Sequence, residues 1–360
     1  MALRQYPVES LVVDGAFWRG RRVLLTGHTG FKGSWLALWL QRLGAEVTGF
    51  ALAPTEPSLF ELADVARDMH DVRGDIRDLD AVRAAVDHAD AQVIIHMAAQ
   101  SLVRRSNREP LDTFAINAMG SANLLEAART APSARAIVVV TSDKCYADGD
   151  ARVPHREDDR LGGNDAYSAS KACAELVVGA YRHSFLGERL ALATVRAGNV
   201  IGGGDWADDR LVPDAIRAFA AHQSLEVRNA AATRPWQHVL EPTSAYLALG
   251  ERLCSAGKEF AQAWNIGPDD SHSVGEVATR IAKLWGDGAS WQACAAAHPP
   301  EAAALALDSS KARRELGWTP RTSIDEALEW TVEWYRGWNE GKDARRMTES
   351  QIDLFSARRA

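Results

Sequence analysis

Leu24–Leu40 reads LLTGHTGFKGSWLALWL: an apolar pair, glycines at 27, 30 and 33, and an apolar run with helical spacing that extends from Ser34 to Leu43. With Arg22 and Val23, the opening residues form a short continuous apolar segment of the kind that makes a strand buried on both faces. Each glycine has a task where such a strand turns into a helix. The first allows a tight turn, the second lets the backbone approach a diphosphate, and the third lets the helix pack close on the strand, with the anion at the positive helix end. The spacing is GxxGxxG, one residue wider at its first step than the general dinucleotide fingerprint. Gly27, Thr29, Gly30, Phe31, Lys32 and Gly33 therefore form a candidate dinucleotide loop.

The same punctuation recurs along the chain. Val47–Leu52, Val93–Met97 and Ile137–Val140 are further short β-branched runs, separated by stretches that read as helix. Strands without alternation, interleaved with helices, predict an α/β fold with a doubly wound parallel sheet of the Rossmann type. We expect a dinucleotide-binding domain over 18–197, with returning segments near 236–268. From Gly198 the pattern loosens into Gly-, Asp-, Pro- and Trp-rich stretches, GNVIGGGDWADDRLVP and NAAATRPWQHVLEP, which predict a smaller mixed α/β substrate-binding lobe over 198–235 and 269–345. The segment IDEALEWTVEWYRGWNEG reads as the final helix, with Trp330, Trp334 and Trp338 on one face; a stripe at that spacing points to packing in the core or between subunits. Ala293–Ala306 is Ala-rich.

A chain of 360 residues, 46% of them apolar, supports a large core, and its formal charge of −7 argues against a nucleic-acid partner, which needs clustered Lys and Arg. Cys145, Cys173, Cys254 and Cys294 are far apart and form no disulfide or metal pattern, so no metal site is expected and a reducing cytoplasm is. Nothing resembles a secretion signal or a membrane span.

Two positions bear on the cofactor. The tip of the second strand, Phe50–Ala53, holds neither an acid for a ribose diol nor an arginine for a 2′-phosphate, so it does not separate NAD from NADP. In RGDIRD, Asp75 and Ile76 stand where a carboxylate and an apolar side chain would hold adenine; Asp75 equally suits a helix cap.

Two stretches carry chemistry. Tyr167–Lys171, YSASK, puts a phenol and an ammonium one turn apart on one helix face, where the cation lowers the pKa of the phenol and lets it take a hydroxyl proton as hydride leaves the same carbon. Val140–Tyr146, VTSDKCY, ends a strand with a hydroxyl, an acid and an amine side by side.

From about Gly20 to Trp338 the chain resembles the extended short-chain dehydrogenase/reductase family and, within it, the nucleotide-sugar 4,6-dehydratases. The motifs carrying the resemblance are TGHTGFKG, HMAAQ (His96–Gln100), INAMGSANLLEAA with Asn117, TSDKCY, YSASK and RAGNVIGGGDW. It implies that Ala98, Ala99 and Gln100 line the cofactor, that Asn117 supports the active-site helix, and that NAD is the cofactor. A 4-epimerase or simple dehydrogenase needs only the hydroxyl, Tyr and Lys set. A dehydratase must also remove the C5 proton and expel the C6 hydroxyl, which explains Asp143 as acid and Lys144 as base beside Ser142, Tyr167 and Lys171. Lysine in the base position, with HTGFKG, GGGDWADDRLVPD and TRPWQHVLEP, is similar to the members that act on CDP-glucose. A lysine serves as base only where burial or positive neighbours lower its pKa, and Lys171 and the oxidised nicotinamide are the neighbours available.

The resemblance also places Asn199 on the sugar diphosphate, and Arg210 and Arg234 are candidates for its phosphates, since a guanidinium donates in pairs. Arg210 has an alternative as a local ion pair with Asp208 or Asp209. His96 reads as a packing or cofactor-adjacent residue, His238 as structural, and Cys145 as a small apolar filler. Relatives pair through two helices, which Leu111–Arg129 and Ala166–Arg182 would supply, giving a homodimer or a dimer of dimers. The rival readings are an epimerase or another dehydratase on the same scaffold and, in a different class, a noncatalytic dinucleotide-binding regulator.

Overall fold

The computed structural model describes residues 13–147, 149, 153–187, 189–294 and 305–358. Most of the Ala-rich Ala293–Ala306 stretch lies outside them. Seven strands make the central sheet: β1 Arg22–Thr26, β2 Glu46–Ala51, β3 His70–Arg73, β4 Val93–His96, β5 Ala136–Val140, β6 Ala191–Arg196 and β7 Ala263–Asn265. Their order is β3-β2-β1-β4-β5-β6-β7 and every neighbouring pair is parallel. This is the doubly wound arrangement the apolar runs predict. The strand order reverses between β1 and β4, and ligands of such sheets bind in the crevice that the reversal opens at the strands' carboxyl ends.

Why the strands lack alternation is visible in their burial. Val23, Leu25, Val93, Ile95 and Val138 face one core, while Leu24, Ile94, Ile137 and Val139 face the other. Both faces are dry because helices cover both: α1 Phe31–Arg42, α2 Leu79–Ala89, α3 Gly120–Thr130, α4 Ala166–Ser184 and, later in the chain, a helix over Leu240–Ala256. The edge strand β3, with sequence HDVR, is mostly exposed, so no apolar run marks it in the sequence.

Between β6 and the end of the chain come α5 Leu211–Ala220, α6 (the Leu240–Ala256 helix), α7 Val274–Trp285, α8 Ile324–Asn339 and α9 Ala344–Ser356. Short strand pairs join the loops here: Val200–Ile201 with Gln237–His238, and Thr233–Arg234 with His272–Ser273. The tryptophan helix α8 is not the last. After it, α9 returns to α1, where Arg42 pairs with Asp353 at 2.6 Å. The tryptophan stripe packs inside the molecule, with the Trp206 ring edge-on to Trp334 at 5.8 Å and to Trp338 at 5.3 Å. A Cβ on Gly203 would lie 2.1 Å from Trp334 Cγ, so the glycines of GGGDW let this loop sit flat on α8. No helix among the described residues is long and apolar enough to cross a membrane.

Candidate active site

The glycine loop leaves β1 exactly opposite the loop that leaves β4. Gly27 has φ +78°, and a Cβ there would come within 2.7 Å of Ala98 N. A Cβ on Gly33 would meet Gly27 O at 2.1 Å, which makes this glycine the condition for α1 to start so close to the strand. Gly30 differs: a Cβ would find only Gly27 O, at 3.4 Å. As N-cap of α1 it offers no side-chain acceptor to the first-turn amides, which leaves them for an anion. Thr29 Oγ1 donates to Leu52 O at 3.1 Å and Ala98 N donates to Thr26 Oγ1 at 3.2 Å, pinning the loop to both neighbouring strands. Ala99 follows, half-buried, on the same stretch. The Phe31 ring faces Gly202, whose added Cβ would lie 3.3 Å from it. A dinucleotide diphosphate fits this cradle.

The adenosine end departs from the sequence reading in two details. An arginine does stand at the tip of β2, contributed by β3: Arg73 Nη1 donates to Leu52 O at 3.2 Å while Nη2 pairs with Asp71 at 2.6 Å. Asp75 is not a helix cap. It closes its own turn, accepting Arg77 N at 2.9 Å and pairing with the Arg77 guanidinium at 2.6 Å, and Asp78 caps α2 instead. Ile76 is buried against Gly120.

The Ser-Asp-Lys stretch turns off the end of β5. The Ser142 hydroxyl donates to Asp143 Oδ1 at 3.0 Å and accepts Lys144 N at 3.2 Å, capping the single turn Asp143–Cys145. Asp143 is buried, and its Oδ2 accepts Asn199 Nδ2 at 3.0 Å. The amide predicted to meet the sugar diphosphate thus also holds the acid. Lys144 is half-buried beside it.

Tyr167 and Lys171 lie on the first two turns of α4, whose N-terminus is capped by Asp165. The Tyr167 phenol is not lowered by Lys171 as its spacing predicts: burial pushes it up to about 12, opposed by a hydrogen bond with Ser142, while the Asp143 charge adds to the rise and the Arg210 charge, not that of Lys171, counters it. Lys171 donates to Val140 O at 3.3 Å, and burial lowers it to about 8 against the pull of Glu175. Asn117 ties this helix to the cofactor loop, donating to Ser170 Oγ and to Gln100 O, each at 2.9 Å. The Gln100 side chain is engaged locally, donating to Thr113 Oγ1 at 3.0 Å and accepting Leu102 N at 2.6 Å. His96 bonds Thr26 at 2.7 Å and Ser121 at 3.1 Å, and burial pushes it down to about 3, so it is a neutral packing residue. Cys145 is a buried thiol in a small apolar cluster.

Across the cleft, Arg210 pairs neither with Asp208 nor with Asp209. Its Nη1 meets Asp205 at 2.8 Å and its Nη2 donates to Ser101 Oγ at 2.9 Å, while Asp209 pairs with Arg228 at 2.7 Å and with Arg104 at 3.0 Å. Asp205 was legible only as part of GGGDW; its buried carboxylate holds the guanidinium near enough for Tyr167 to feel its charge. Lys32 reaches the same space from the glycine loop. Burial, with the charges of Lys171 and Arg210, lowers it to about 7 against Asp143 and Asp205. Arg234 is buried on its short strand, with Nη1 donating to Thr233 O at 2.8 Å. A site with a tyrosine, an acid, two lysines and an arginine around a dinucleotide cradle, and Lys144 next to the acid in sequence, is suited to moving a hydride and several protons on one polyhydroxy substrate.

The profile of the GDP-mannose 4,6 dehydratase family matches residues 24–331. The chain belongs to this family of nucleotide-sugar dehydratases. It is 46% identical to the CDP-glucose 4,6-dehydratase of Salmonella typhimurium, over 96% of this chain and 99% of the relative. The dTDP-glucose 4,6-dehydratase of Streptomyces niveus is 29% identical, over 88% of this chain and 93% of the relative. Among solved structures, the UDP-glucose-4-epimerase of Stenotrophomonas maltophila with bound NAD superposes with a TM-score of 0.79 at 24% identity, covering 89% of this chain and 99% of that one. The dTDP-glucose 4,6-dehydratase of Bacillus anthracis in complex with NAD gives 0.74 at 22%, covering 89% and 98%. At these identities the structures speak for the fold, which is that of the extended short-chain dehydrogenases/reductases.

Proposed function

We propose that the chain is an NAD-dependent CDP-glucose 4,6-dehydratase, a hydro-lyase that converts CDP-glucose to CDP-4-keto-6-deoxyglucose and water. The observation carrying this reading is the pairing of near-full-length 46% identity to an enzyme of that name with an intact Ser142-Asp143-Lys144 turn beside Tyr167 and Lys171. An epimerase has no use for the acid and the amine of that turn, and a regulator has no use for any of the five.

When bound, NAD stores the C4 hydride and returns it at C6. The chain's own residues move the protons. Tyr167, with Ser142 orienting the substrate, takes the C4 hydroxyl proton. The resulting ketone acidifies C5, and Lys144 in its neutral form takes that proton. Asp143, protonated, gives its proton to the C6 oxygen, which leaves as water. When hydride has returned to C6, the proton held by Lys144 goes back to C5, and the proton that Tyr167 took from the C4 hydroxyl is released to solvent as one is taken up by Asp143, which resets both groups. Lys171 and the Gly27–Gly33 loop hold the cofactor, and Arg210 and Arg234 face the diphosphate. Free, separated cysteines support a reducing compartment, the cytoplasm. Exposed Leu111, Met119 and Leu176, on the consecutive segments Pro110–Phe114 and Ala115–Met119 and on α4, support a homodimer built on that face.

The test is turnover. Purified protein with NAD is incubated with CDP-glucose and, separately, with dTDP-, UDP- and GDP-glucose, and the alkali-induced absorbance of a 4-keto-6-deoxy sugar is followed. Product from CDP-glucose alone is the expected result. Product only from another nucleotide sugar reassigns the substrate, and silence with all four removes the dehydratase reading.

A further inference from the structure

Behind the catalytic pair lies a group of buried polar side chains that the reaction as described leaves unused. Tyr167, Lys171 and Glu175 are spaced four apart on α4 and so share one face, the first two at the cleft and the third a turn deeper. Glu175 Oε1 accepts the Thr141 hydroxyl at 2.5 Å; its Oε2 accepts Thr194 Oγ1 and Arg196 Nη2, both at 2.9 Å. Arg196 Nη1 goes on to Tyr146 OH at 2.8 Å and Glu157 O at 2.9 Å. The Arg196 and Glu175 side chains are only 4% and 3% exposed. Lys171 Nζ meets the carbonyl of Val140 and Glu175 meets the hydroxyl of Thr141, so consecutive residues of β5 hold the ammonium and the carboxylate.

A buried ion pair of this kind stabilises little compared with apolar side chains of the same volume, because both charges lose their hydration. Its presence directly beneath a working lysine calls for another explanation. Lys171 sits in a dry site that favours the neutral amine, and the groups around it are of little help. His96 is neutral, Cys145 is a thiol whose burial pushes its pKa well up, and Lys32 is a like charge. Glu175 is the described carboxylate that favours the ammonium, and Arg196 and Arg182 are the cations that face Glu175 in turn.

We propose that Glu175 is a positioning residue for the reaction: the buried carboxylate one helical turn below Lys171 that favours the ammonium form there, itself ion-paired to Arg196 and held by Thr141 and Thr194. For its part in turnover this rests on the dehydratase reading, so the first readout does not involve turnover. The protein has seven lysines, few enough for specific ¹³Cε-lysine labelling, with the Lys171 resonance assigned from a Lys171→Arg variant and titrated by NMR. Glu175→Gln is expected to weaken proton binding at Lys171 about tenfold, one unit of pKa. Glu175→Gln/Arg196→Gln removes both buried charges and guards against a misfolded single variant; it is expected to shift Lys171 in the same direction. Arg196→Lys keeps the Glu175 carboxylate and is expected to leave the Lys171 midpoint in place even where it lowers stability. An unmoved midpoint in the double variant, or an equal shift in Arg196→Lys, overturns the proposal whatever the substrate proves to be. With wild-type turnover in hand, the alkaline limb of kcat should move to lower pH by the same amount; a fall in kcat with no movement of the limb counts against the proposal.

Discussion

Asn199 and Asp143, 56 residues apart in sequence, meet at 3.0 Å, the amide Nδ2 donating to the carboxylate Oδ2. The contact needs an unusual backbone: Asn199 sits at φ +51°, and the preceding Gly198 lies so close that a Cβ would be 1.9 Å from Asp143 Oδ2. The RAGN turn is thus the wall against which the acid is set. Gly198→Ala should push Asp143 out of line and cut dehydration about 100-fold, the usual penalty for misplacing a reacting group by about 1 Å. The check is kcat of the variant with CDP-glucose alongside its melting curve. An unchanged rate in a folded variant would show that Asp143 is not the acid.

Lys144 follows Asp143 on its turn and Lys32 reaches Asp143 from the glycine loop, and the chemistry asks for one amine that is neutral when C5 is deprotonated. If Lys144 is that amine, Lys144→Met should lower kcat by about 10² to 10⁴, the range for losing a general base, while C4 oxidation continues. The sign of this split is NADH absorbance that builds with CDP-glucose present, with no exchange of solvent deuterium into C5. Retained exchange would move the base to Lys32, which already stands near neutrality at about 7.

Much of this site was legible in the sequence because its residues are contiguous. The glycine loop, TSDK and YSASK are short runs whose spacing alone implies a strand-to-helix turn, a strand end and a helix face. What stayed hidden is what the fold assembles from distant pieces. No local pattern links Ser101 to Arg210, or Thr141 and Arg196 to Glu175, because these partners come from separate elements, and Asp205, only five residues before Arg210, is brought to it by an irregular loop that has no sequence signature. The Asp208-Asp209-Arg210 run invited a local ion pair that the chain does not make. Likewise β3 passed unread, because an exposed edge strand carries no apolar signature.

His96 and His238 are buried, and burial pushes each down to about 3 from 6.5. The folded value lies below the unfolded one. Above pH 6.5 neither state is protonated and the histidines contribute nothing; below it the unfolded chain gains a proton that the folded chain refuses, so stability falls with pH until about 3. Each histidine is worth about 1.4 kcal/mol per pH unit in that window. Glu251, raised to about 7 by burial, acts in the opposite sense, so the informative quantity is a difference between variants. His238→Asn, which preserves an acceptor for Leu240 N, should be less stable at pH 7 yet lose stability between pH 6.5 and 5 less steeply than wild type, by about one proton's slope. Urea unfolding at several pH values measures it, and equal slopes would mean that His238 is protonated in the folded state.

Leu111, Met119 and Leu176 are 84%, 58% and 62% exposed, on the adjoining segments Pro110–Phe114, Ala115–Met119 and α4. Three large exposed apolar side chains on neighbouring helical segments are what the proposed homodimer face would bury. A second copy of the same face would cover it with helices antiparallel to their equivalents, in an isologous contact. α4 carries Tyr167 and Lys171, so pairing there would also stiffen the catalytic helix from behind. We expect light scattering to give twice the 39.2 kDa chain mass for the wild type, and half of that for Leu111→Asp/Leu176→Asp. The double variant replaces exposed residues and should fold; its melting temperature should depend less on protein concentration than that of the wild type, because association no longer contributes to stability. A wild type that runs as a monomer at micromolar concentration would remove the dimer, and a variant that remains dimeric would move the interface to another face.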